Sequence, residues 1–149
     1  MQLTIPKAMK LEHDELHAQL VKASQELGAI GEAAKAVAKV LHSHFVNEEA
    51  YAIPPLGLLP LLAIGKVTDE MKDVLRMTDK LKAELPKMLE EHKAIVAALQ
   101  NLISAAEKEK RMEYVRFAER LTLHAQTEEE VTYPTAILIG EYLRLNLKR

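Results

Sequence analysis

The stretch "HSHFVNEEAYAIP" spans residues 42–54, and "LTLHAQTEEEVTYP" spans residues 121–134. Each sets a histidine, three spacers and a pair of glutamates ahead of a proline. His44 and His124 stand 80 residues apart, as do Glu48 and Glu128, Glu49 and Glu129, and Pro54 and Pro134. Upstream, "LEHDEL" at 11–16 and "EEHKAI" at 90–95 place His13 and His92 79 residues apart, each directly after a glutamate. A register held to one residue across both halves indicates a duplicated helix pair.

Positions i and i+4 share one face of a helix, so His44 projects with Glu48 and His124 with Glu128. If the two pairs close about a pseudo-twofold axis, four imidazoles and two carboxylates converge in the interior. Such a cluster is heavily penalised by desolvation unless a counter-charge accompanies it, and a pair of cations supplies one. The chain has no cysteine, so any metal is held by nitrogen and oxygen, a donor set that suits iron, manganese, zinc or copper more than magnesium or calcium. The candidate metal ligands are His13, His44, Glu48, His92, His124 and Glu128, with the two glutamates bridging two metals and two histidines completing each end.

A single His-x-x-x-Glu is usually a solvated pair; the shared register is what favours a metal site. His17, one turn after His13, is a candidate fifth nitrogen ligand, although its register partner is Val96. His42 falls on nearly the opposite face from His44 and is expected to be exposed. Glu49 and Glu129 fit either of two roles, acceptors that orient a ligand imidazole or exposed helix-end carboxylates. Tyr51 and Tyr133 are expected to serve in packing before serving as donors to the site.

At 149 residues the prior is one domain. A hydrophobic fraction of 48% supplies a core, while 4% aromatics and five glycines disfavour a many-stranded sheet protein. Apolar periodicity predicts a first helix from Pro6 to Gly28 or Gly31, with Leu11, Leu16, Leu20, Val21, Leu27 and Ile30 as its stripe. A second helix runs over 33–49 until "IPP" stops it, and "PPLGLLPLLAIGK" forms a packed connection. The third, capped by Thr68 or Asp69, continues to about Lys108, with Pro86 kinking it or opening its second half. A turn at "EKEKRM" leads to a fourth helix ending at Pro134, after which "TAILIGEYLRLNL" docks. The expected fold is all-α, an up-and-down antiparallel four-helix bundle with a short C-terminal helical extension.

The formal charge of −2 comes with no basic stripe, so nucleic acid is not an expected partner. No apolar run approaches the ~20 residues of a membrane span, and the N-terminus lacks a signal-peptide pattern, so no membrane association and a cytoplasmic location are expected.

Taken together, "LEHDELH", "HFVNEEAYAIPP", "EEHKAIVAAL" and "HAQTEEEVTYP" resemble the hemerythrin-like, or HHE cation-binding, family in order and spacing, over about residues 10–142. The resemblance implies a non-haem di-iron centre bridged by two carboxylates and an oxygen species. In it His13, His44, His92 and His124 are terminal ligands and Glu48 and Glu128 are bridges. It further implies a small diatomic ligand or oxidant, namely oxygen, nitric oxide or peroxide, and roles in carriage, sensing, stress protection or iron handling. Oxygen-carrying relatives have a second histidine one turn away on the third helix, where this chain has Met88 before His92 and Val96 after it. His17 restores the count from the first helix, or a water fills the place. The departure bears on reversible carriage more than on dinuclear binding.

A binding or sensing protein is thus expected before a dedicated enzyme. A di-iron oxidase or peroxidase and a metal-free helical interaction module are the alternatives. Manganese or zinc could replace iron. The apolar segments 54–65 and 136–143 suggest a homodimer or an unidentified protein partner if they do not dock internally.

Overall fold

The computed structural model describes residues 3–147, which are mostly helical, joined by short turns, with no strand among them. Pro6 precedes α1 (Lys7–Ser24), as suits a residue without an amide donor at the start of a helix. Gly28, at φ 79°, turns the chain into α2 (Ala29–Asn47). A 3-10 turn over Pro54–Leu58 and the short α3 (Leu59–Ala63) make the connection, and a second 3-10 turn at Asp69–Asp73 leads into α4 (Val74–Lys108). Lys110, at φ 57°, reverses the chain ahead of α5 (Met112–Thr127), and α6 (Tyr133–Leu147) closes it.

Four long helices carry the packing: α1 lies against α2 and α5, and α4 against the same two. Their buried faces keep a helical period, such as His13, Leu16, Leu20 and Ala23 on α1, and Met88, His92, Ile95, Leu99 and Leu102 on α4. The predicted stripe of the first helix is corrected in part. Leu11 and Val21 are exposed because they fall off the face that His13 shares with Leu16 and Leu20, while the helix ends at Ser24 and not at Gly28 or Gly31, leaving Leu27 exposed in the turn and Ile30 buried on α2. Pro86 lies inside α4, which continues across it as one helix of 35 residues.

Apolar burial divides into two clusters. One joins Leu16, Leu41, Leu99 and Leu121 with their neighbours, and the other joins Leu56, Met71, Leu81, Met88, Tyr133 and Leu143. On α4 His92 falls between Met88 of the second cluster and Ile95 of the first, and His44 meets it there at 2.9 Å, so a polar layer lies where the two clusters adjoin.

Both halves depart from α-helical geometry at the same register. Residues Glu48–Ala52 and Glu128–Thr132 are wide π-helical turns. Each is closed by an amide five residues on: Ile53 N–H donates to the Glu48 carbonyl at 2.9 Å, and Tyr133 N–H to the Glu128 carbonyl. The predicted stop at Pro134 is therefore corrected, since the chain stays helical from Met112 to Leu147. A proline clashes with the carbonyl four residues back in a regular helix, and the widened turn just before it relieves that crowding. α6 consequently runs on from α5 and packs against α4, where Gly140 meets Thr78. No helix among the described residues is long and apolar enough to cross a membrane.

Candidate metal centre

Each long helix delivers one histidine to the polar layer, and each π turn opens on one glutamate. His13, His44, His92, Glu48 and Glu128 are buried, and His124 is 10% exposed. Their donor atoms form two groups, His44–Glu48–His92–Glu128 and His13–His124–Glu128, each with its ligand atoms within 4.8 Å of one another. Glu128 belongs to both: Oε1 lies 3.1 Å from His92 Nε2, and Oε2 lies 3.1 Å from His124 Nε2 and 3.6 Å from His13 Nε2. Glu48 Oε1 lies 3.6 Å from His44 Nε2 and 3.8 Å from His13 Nε2, so it too faces both groups.

In three of the four clustered histidines the other ring nitrogen meets a carboxylate at hydrogen-bond distance. His44 Nδ1 lies 3.0 Å from Glu91 and His13 Nδ1 lies 3.1 Å from Glu49. His124 Nδ1 contacts Glu12, whereas His92 Nδ1 is buried without a hydrogen-bond partner, 3.7 Å from Glu129. A carboxylate at Nδ1 fixes the ring and the tautomer that bares Nε2 for a cation. The four pairs obey the internal duplication, Glu49 answering Glu129 and Glu12 answering Glu91.

The protonation tendencies follow from crowding. Burial alone would depress the imidazolium of His44, but Glu48 and Glu91 outweigh it and push the group up to about 9. His124 is likewise opposed by burial and pushed up to about 9 by Glu128 and Glu12. His13 is raised against the same burial by Glu128, Glu48 and Glu49. Burial and the neighbouring Glu128 charge push Glu48 up to about 7, while hydrogen bonds from Glu48 and three histidines hold Glu128 low against its burial.

These residues fit a cation. His13 Nε2, His124 Nε2, Glu48 Oε1 and Glu128 Oε2 are buried polar atoms without a hydrogen-bond partner. Such atoms cost roughly 1–3 kcal/mol each when left unmet, and all four point into the two groups. His44 Nε2 and His92 Nε2 stand 2.9 Å apart, close to the ~3.0 Å between two donors at right angles on one cation at ~2.1 Å.

The six expected ligands thus come together, and His17 does not join them. It is exposed, on the rim of a cavity of about 450 Å³ between α1 and α2 that His13, Leu41, Phe45 and Glu49 also line. The face of α1 toward the centre is taken by His13 and Leu16, and His17 lies beside it. His42 is exposed as expected. A second cavity, of about 500 Å³, lies between α4 and α5 and touches His92, Val96, Ala125 and Glu129, the register partners of the first. Phe45 stacks on His13 at 4.2 Å between ring centroids, whereas its counterpart Ala125 has no ring to offer His92.

Sequence reasoning passed over Glu12 and Glu91, although the repeated glutamate before His13 and His92 was a signal for them. It also ranked Tyr133 as packing. The Tyr133 hydroxyl is buried in the centre and donates to Glu48 Oε2 at 2.6 Å, while Tyr51 turns away to Met88 Sδ at 3.7 Å. Comparison with protein families, curated proteins and solved structures finds no match for this chain.

Proposed function

We propose that this chain is a hemerythrin-like, non-haem di-iron protein that binds or senses oxygen or a related small oxidant. Its fold in this reading is an up-and-down antiparallel four-helix bundle with a C-terminal extension. The observation that carries the proposal is the set of four buried, unpartnered donor atoms, two imidazole nitrogens and two carboxylate oxygens, aimed into one polar layer. A soluble helical interaction module would fill that layer with leucine, because a buried charged cluster without a cation is a net cost.

The chain's own residues would divide the work. His44 and His92 would hold one cation, His13 and His124 the other, and Glu48 and Glu128 would span both. Glu12, Glu49 and Glu91 would hold the rings of His124, His13 and His44 in place through Nδ1. The apolar clusters on either side would exclude water from the layer, which strengthens each ion–ligand contact. An iron pair bound there would supply one-electron and two-electron chemistry toward oxygen, nitric oxide or peroxide.

The test is metal analysis of protein expressed with iron, joined to optical spectra taken anaerobically after reduction and again in air. About two irons per chain with bands that develop in air is the expected result. Absence of bound iron, or zinc with a silent spectrum, would remove the oxygen chemistry from the proposal.

A further inference from the structure

Tyr133 breaks the twofold pattern of the centre. Its register partner is Ile53, which has no donor atom, yet Tyr133 is wholly buried with its hydroxyl among the ligands. Tyr133 Oη lies 3.1 Å from His92 Nε2, 3.2 Å from His44 Nε2 and 2.6 Å from Glu48 Oε2. The two nitrogens are themselves 2.9 Å apart.

A phenol has one proton to donate. Here three polar atoms surround it, Glu48 Oε2 and the Nε2 atoms of His44 and His92, and it can donate to only one of them. Its proton goes to Glu48 at 2.6 Å, and the Nε2 atoms of His44 and His92 lie within hydrogen-bond distance of its oxygen and of each other. The triangle of Tyr133 Oη, His44 Nε2 and His92 Nε2 has edges of 2.9, 3.1 and 3.2 Å. Those edges match the ~3.0 Å expected for three mutually cis donors on one cation.

The local backbone supports the same placement. In an α-helix the residue five positions after Glu128 would point roughly 140° away from it. The π turn closes on the amide of that residue, so Tyr133 returns to the face of Glu128. Ile53 occupies the same place after Glu48.

We infer that Tyr133 is a phenolate ligand of the cation held by His44 and His92. The inference rests on the metal-centre reading of this site. On coordination the phenol releases its proton to solvent and an O–metal bond replaces the O–H bond, with no change of oxidation state.

Full-length protein loaded with Fe(III) tests it by visible absorption and resonance Raman spectroscopy. The expected result is a phenolate-to-iron charge-transfer band with tyrosinate ring modes, retained in Tyr51→Phe and lost in Tyr133→Phe when intensity is expressed per bound iron. Addition of Zn(II) to the metal-free protein supplies a measurement without iron, in which a tyrosinate ultraviolet difference band is expected in wild type. Iron-loaded wild type without the band, or a band that survives in Tyr133→Phe, overturns the inference and leaves the metal centre standing. Wild type that takes up neither metal overturns both. Should Tyr133→Phe fail to fold, the wild-type Raman and Zn(II) spectra still decide the matter.

Discussion

Glu91 reaches His44 across 3.0 Å although the two are 47 residues apart in the chain. Its sequence neighbour His92 meets the same His44 from the other side at 2.9 Å. One dipeptide of α4 therefore supplies both a neighbour for the Nε2 of His44 and the carboxylate that orients its ring. Removing that carboxylate while keeping the shape, by Glu91→Gln, is expected to weaken metal affinity by about 10–100-fold. Competition with a chelator of known affinity measures it, and an unchanged affinity would show that Glu91 is only a surface residue.

Glu128 is the one side chain common to both donor groups. Glu128→Ala is accordingly expected to lower metal content from about two per chain to less than one, while His124→Ala should spare the ion held by His44 and His92. Elemental analysis of the two variants side by side checks the difference. Equal losses would mean that the groups load only as a unit.

The metal-free protein should lose stability as pH rises. Glu48 is raised from 4.5 to about 7, so its contribution is complete below 4.5 and vanishes through about 7. His44 and His124 are raised from 6.5 to about 9, and theirs is complete below 6.5 and gone above about 9. Glu128, held low, acts oppositely and only in acid, below its usual 4.5. Melting temperatures of chelator-treated protein are therefore expected to fall between about pH 4.5 and pH 9. Metal uptake should run the other way, strengthening over the same range as the ligands give up their protons. A flat melting profile in the metal-free protein would contradict the crowding described for the centre.

Gly140 allows α6 to lie directly on α4, since a methyl there would overlap the Thr78 side chain. Gly140→Ala is expected to cost about 1–3 kcal/mol, read as a lower denaturant midpoint. Because α6 begins at Tyr133, the spectrum of the loaded centre should shift in the same variant.

The six residues of the buried His/Glu cluster were legible in the sequence because duplication fixes a register and an i, i+4 pair needs no knowledge of the rest of the fold. Tyr133 was not, since the i+5 position lies off the face until the turn widens, and nothing in "EEEVTYP" announces a π turn. The same widening hid the continuity of α5 and α6 behind Pro134. Glu12 and Glu91 were visible as a repeat, but their partners sit on helices distant in the chain, and helical period alone assigns no contacts between helices. His17 satisfied the one-turn rule and still fell outside, because α1 presents only a narrow face to the centre.

The charged layer also bears on how the protein comes apart. It separates a cluster around Leu16, Leu41, Leu99 and Leu121 from one around Leu56, Met71, Leu81 and Leu143. Without ions the two apolar halves adjoin through groups that gain by reaching water, so each can open with little loss to the other. Bound ions would tie all four long helices at one level and make the two halves a single cooperative unit. Hydrogen exchange should accordingly show two protection levels in the metal-free chain, merging into one when metal is added.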